Sequence, residues 1–177
     1  DPYPHTPQTM AEFCALQTLC LEQAFTGQAI VTDLVDKLSD IHPSYKWEVG
    51  RRLALWALAK DYGYDKLVYS GPVLKSARLC KNKIVLRFDH EGSGLTAGER
   101  DARDQFKTLK RATNLSWFEL ECEGAKVVPA KARVARSWWF FGKSRNKVKV
   151  ILPRGTKVTA LRFAWDEKAR PNFYNKE

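Results

Sequence analysis

The second half of the chain breaks into short runs in which apolar and polar residues alternate: WFELEC (117–122), KVVPAKARVA (126–135), KVKVIL (147–152) and KVTALRF (157–163). Successive side chains of a strand point to opposite faces, so a period of two means one buried face and one wet face. Gly, Asn and Pro separate the runs, and these residues favour turns over ladders. A chain written this way is restricted to antiparallel sheets, and the expected arrangement is a β-sandwich-like region. Two earlier runs, KLVYSGPVLKSARL (66–79) and KIVLRFDHEGSGL (83–95), also read as strands, with CKNK as the turn between them. The aromatics Trp138, Trp139, Phe140 and Phe141 would alternate between core and surface, where stacking on a sugar or base is the alternative to packing. Residues 96–114 are densely charged and read as an insertion, either a loop or a short exposed helix.

Residues 1–64 follow a different period. Thr9-x-x-Glu12 has the form of a capping box. Behind it Met10, Phe13, Cys14, Leu21 and Ala24 recur at helical spacing, predicting a helix from about Thr9 to Ala24. QAIVT (28–32) is a nearly continuous apolar run with β-branched residues, which suits a strand buried on both faces of a parallel sheet. A second helix is predicted from Pro43 or Ser44 to Tyr62, closed by Gly63. Val49, Leu53, Trp56 and Ala57 form one apolar stripe on it, and Leu55, Leu58 and Tyr62 a second, so it should be sandwiched. Helix, strand, loop, helix is the end of an α/β unit. The fold class is therefore α/β plus β, with residues 1–64 closing a doubly wound sheet and 65–177 forming a β-rich domain.

In such sheets functional loops lie beyond the carboxyl ends of the strands. That position is occupied by SDIHP, with Asp40 and His42. A neutral imidazole accepts and returns a proton near neutral pH, and a carboxylate beside it fixes its orientation. Pro43 restricts the backbone behind it. By residue chemistry alone Asp-x-His is a weak motif, and a capping Asp40 or Ser39 with a loop His42 is the favoured reading on that ground. His90, in FDHEGSGL, reads as a turn residue. Arg162, Trp165 and Tyr174 read as residues that tie the β region together.

The net charge of +10 is unevenly placed. Residues 1–95 hold 11 Lys and Arg against 11 Asp and Glu; residues 96–177 hold 19 against 9 and so carry all of it. The basic residues are dispersed among predicted strands, without a helix-turn-helix, zinc or RNP-like pattern, so specific nucleic-acid binding is not expected. A solvated face is one reading, and an anionic glycan or other anionic partner the other. Cys14, Cys20, Cys80 and Cys122 lack metal-ligand spacing; buried free thiols are the first expectation and one disulfide the second. No apolar run approaches the roughly 20 residues of a membrane helix.

The run DIHPSYKWEVGRRLALWALAKDYG resembles the corresponding block of the sialate O-acetylesterase family, which belongs to the SGNH (GDSL-like) hydrolases. LVYSGPVLKSARLCKNKIVLRFDHEGSGL, VVPAKARV and LRFAWDEKARPNFYNKE follow in the family's order, so the resemblance extends from about Phe25 onward. It implies hydrolysis of O-acetyl esters on a glycan, without metal or organic cofactor, in an extracellular, periplasmic or lysosomal setting. It also implies catalytic roles for His42, as general base, and for Asp40, as its orienting acid, although a Ser–His dyad also occurs in the group. The family's Gly-x-Ser block has no counterpart here, and the expectation is a C-terminal portion, truncated at both ends and inactive alone.

Overall fold

In the computed structural model, the described residues are 6–35, 37, 42, 44–100, 106–110, 114–135 and 146–177. Helix α1 spans Thr9–Leu19 and continues as a 3-10 turn at Cys20–Glu22. Helix α2 spans Lys46–Lys60. Among the described residues ten strands follow: β1 Val73–Cys80, β2 Lys83–Asp89, β3 Leu95–Arg100, β4 Phe106–Thr108, β5 Phe118–Cys122, β6 Lys126–Pro129, β7 Lys131–Val134, β8 Lys147–Ile151, β9 Val158–Phe163 and β10 Phe173–Asn175. Every pairing among them is antiparallel, in sheets ordered β1-β2-β8-β7, β10-β3-β4 and β6-β5-β9. The protein thus combines a small helical part with a β-rich part.

The alternation in the sequence becomes burial directly. In β5, Phe118, Leu120 and Cys122 point inward, while the intervening Glu121 reaches Arg162 of β9 at 2.5 Å. In β8, Val148 and Val150 are fully buried between outward lysines. Leu86 and Phe88 of β2, Ala132 of β7, Ala97 of β3 and Phe173 of β10 complete one shared core. The predicted run 126–135 is two strands that change partner at Ala130: β6 pairs with β5, the Ala130 N–H still reaches the Phe118 carbonyl at 2.7 Å, and β7 pairs with β8. The CKNK turn is present, with Lys81 in the left-handed region at φ 46°.

Four expectations need correction. Residues 96–114 are not simply an exposed insertion: they supply most of β3 and all of β4. Leu95 to Gly98 are all buried. A Cβ on Gly98 would run into the Phe106 ring, which would have to shift. Second, residues 28–32 form no strand; the segment has no described neighbour to complete a ladder. Its Ile30 carbonyl instead accepts a hydrogen bond from the Arg52 guanidinium. Third, the Thr9 capping box does not form. Gln8 is the N-cap, without a side-chain cap, and Thr9 lies inside the helix with its hydroxyl accepting from Thr6 N–H at 3.0 Å. Fourth, α2 is not uniformly sandwiched: Leu53 is 48% exposed, whereas the polar Glu48 is its one buried residue. Met10, Phe13, Leu16 and Leu19 of α1 are likewise exposed. The SWWFF run lies outside the described residues.

Candidate functional site

His42 sits at a bend ahead of α2, outside any helix, and is exposed. Asp40 and Pro43, and with them the geometry of the expected Asp–His pair, lie outside the described residues. The helix behind the loop starts at Lys46, with the Tyr45 carbonyl accepting from Glu48 N–H at 3.1 Å. On the N-terminal side the loop is anchored by Leu34, which is fully buried and donates its N–H to the Val31 carbonyl at 3.0 Å.

The two stems of this loop are joined by a charge network that sequence reasoning missed. Asp33 stands on one stem and Glu48 on the other. Arg52 presents a fork to Asp33, with both N–H···O distances at 2.7 Å, and donates its Nε to Glu48 at 2.9 Å. Arg100, at the end of β3, donates Nε to the same Asp33 at 3.1 Å and Nη2 to Glu48 at 3.1 Å. Arg51 adds two more hydrogen bonds to Glu48, at 2.7 and 3.0 Å. The Tyr174 hydroxyl of β10 lies 3.4 Å from Asp33 Oδ2. A buried carboxylate, Glu48, and a largely buried one, Asp33, therefore face two largely buried guanidiniums, each fork matched to acceptor oxygens, which is the arrangement in which a buried ion cluster is tolerated.

The protonation states follow from this geometry. Burial alone would raise the Glu48 pKa, but hydrogen bonds and charge from Arg51 and Arg52 outweigh it and hold the carboxyl down at about 2. For Arg52 burial acts against the charged form, and Asp33 and Glu48 reverse it, pushing its pKa up. Burial, reinforced by the Asp33 charge, pushes the Tyr174 hydroxyl up as well. Glu48 and Arg52 are thus held in their charged forms and Tyr174 in its neutral form, and the network binds the helical part to β3 and β10. The one local signal was the i,i+3 and i,i+4 spacing of Glu48, Arg51 and Arg52 in EVGRR. Nothing local announced Asp33 or Arg100.

His90 behaves as the turn residue expected of it, with φ 59°. Its ring packs edge-on against Tyr69 at 4.7 Å, and Tyr69 in turn meets Trp56 of α2 at 4.6 Å. Burial lowers its pKa, favouring the neutral ring. Tyr174 does tie elements together, through Asp33 and through an edge contact of 4.9 Å with Phe106. The four cysteines are free, but only Cys122 is buried and Cys20 is exposed, so their expected burial holds for one of them. Among the described residues no three His, Cys, Asp or Glu side chains converge on a point as a bound metal requires.

No family model matches the chain, and no curated protein does. Among solved structures, it is similar to a carbohydrate acetylesterase from Xanthomonas citri, with a TM-score of 0.75 and 28% identity. The match covers 97% of this chain and 35% of that one, so the chain spans about a third of the length of the protein it resembles.

Proposed function

We propose that this chain is the C-terminal part of a carbohydrate O-acetylesterase of the sialate O-acetylesterase type, with residues 1–64 completing an SGNH-type α/β hydrolase domain and 65–177 forming the adjoining β domain. The observation that carries this reading is the similarity, over nearly the whole chain, to one part of a longer carbohydrate acetylesterase. An exposed His42 on a loop fixed at both stems is compatible with it.

In the proposed reaction a serine outside this chain attacks the acetyl carbonyl carbon. His42 takes the serine proton and returns it to the sugar oxygen as the C–O bond breaks. Water then repeats the sequence on the acyl-enzyme and releases acetate. Asp40 holds the imidazole in the productive tautomer.

The test is acetate release from an O-acetylated sialoside and an O-acetylated neutral glycan by a longer protein containing this chain, beside its His42→Ala variant and the isolated chain. Turnover in the longer protein, loss in the variant and none in the isolated chain is the expected result. Undiminished turnover in His42→Ala would overturn the assignment, and turnover on the neutral glycan alone would remove the sialate specificity.

A further inference from the structure

The outward face of the β1-β2-β8-β7 sheet concentrates the positive charge that the sequence scatters. Register places Val85 of β2, Lys149 of β8 and Arg133 of β7 abreast. Arg87 and Lys147 form the next row, and Lys83, Ile151 and Lys131 the row on the other side. Six of the eight outward positions on these three strands are therefore Lys or Arg, the others being Val85 and Ile151. The inward residues of the same strands, Leu86, Val148, Val150 and Ala132, belong to the core, which fixes the face that each cation occupies. Arg87, Lys131 and Arg133 are exposed and Lys83, Lys147 and Lys149 half-buried, and none makes an ion pair with a described carboxylate. The Arg133 Nε bonds a neutral acceptor, Asn114 Oδ1, at 2.8 Å.

Like charges placed opposite each other across an antiparallel pair destabilise the sheet. Nothing in the core requires Lys147 beside Arg87 or Lys149 beside Arg133, so the arrangement has to be explained by what it meets. We infer that this face binds an anionic polysaccharide, one carrying carboxylate or sulfate groups along an extended chain. Adjacent strands set the cations roughly 5 Å apart, and alternate residues set them about 7 Å apart along each strand. That grid suits anionic groups repeated along a polymer rather than one compact anion. Among the described residues of these three strands the face is poorly suited to nucleic acid: none of its outward positions is an aromatic on which bases would stack, and none lies on a helix that could enter a groove. Its two apolar side chains are too few to insert into a membrane interface. The inference rests on the proposed esterase reading only in preferring a glycan among polyanions.

The experiment is calorimetric titration of this chain with polygalacturonate, dextran sulfate and uncharged dextran at physiological salt. Single-stranded and duplex DNA and phosphatidylserine vesicles are titrated in parallel. The Lys149→Glu/Arg133→Glu pair is compared with Lys126→Glu/Lys168→Glu, which makes the same charge change on exposed residues elsewhere. Thermal melts establish that each variant is folded, and Lys149→Gln/Arg133→Gln replaces the reversal if it is not. Expected are binding to an acidic glycan but not to dextran, a loss on the order of tenfold in the sheet pair, and little change in the control pair. Absence of acidic-glycan binding, equal losses in both pairs, or tighter binding to DNA or vesicles would each overturn it. No ester is present in the assay, so esterase activity without glycan binding sinks this inference alone. Glycan binding without esterase activity in the longer protein sinks the catalytic reading alone.

Discussion

Arg100 and Glu48 meet at 3.1 Å although 52 residues separate them in the chain. Glu48 is the buried residue of α2 and Arg100 ends β3, so this contact, with the Arg100–Asp33 bond at 3.1 Å, bridges the helical and β parts. Such a contact is costly to break from one side, because the remaining charge stays buried without its partner.

Arg100→Met is therefore expected to destabilise the chain by about 3–5 kcal/mol, and Glu48→Gln by a comparable amount. The double variant should lose less than the sum, since the second change removes a charge already stranded by the first. Urea unfolding of the wild type, the two single variants and the double variant measures the coupling. Strict additivity would show that the two side chains do not interact in solution.

Acid should weaken the fold through Glu48. Its carboxyl is held at about 2 in the folded chain against an ordinary value of 4.5. A depressed carboxylate stabilises the fold above its unfolded pKa, and that contribution disappears as the pH falls through the folded value. The chain should lose about 3 kcal/mol between pH 4.5 and pH 2 on this account. The difference in unfolding free energy between wild type and Glu48→Gln, followed across that range, should shrink as the pH falls. A constant difference would refute it.

Leu34→Ala and Leu53→Ala should separate clearly. Leu34 is fully buried at the stem of the His42 loop, and its truncation is expected to cost about 2–5 kcal/mol. Leu53 is 48% exposed, leaves little cavity in this chain and should cost under about 1 kcal/mol. Midpoints of thermal unfolding for the two variants decide this, and a larger loss in Leu53→Ala would reverse the assignment of which side is packed.

His42→Ala should leave unfolding unchanged within about 0.5 kcal/mol, because the side chain is exposed. In a longer, catalytically complete protein the same change should reduce turnover by several orders of magnitude at nearly constant KM, the signature of a group acting in the transition state. A rise in KM with kcat intact would make His42 a binding residue.

Periodicity in the sequence determined the β-rich half, including the inward Phe118, Leu120, Val148 and Val150, because a strand's two faces are written in neighbouring residues. It also located α2 and the left-handed Gly63 beyond its end, at φ 76°. His42 was legible as a loop residue. The tertiary structure alone decided that residues 28–32 stay outside a ladder and that Leu95–Gly98 enter one, since pairing needs a partner that no local window contains. It likewise decided that Asp33, Glu48, Arg52 and Arg100 converge, and that lysines and arginines from three separated strands share one sheet face. Both are products of long-range register, in which the position of each charge is set by the burial of its apolar neighbours.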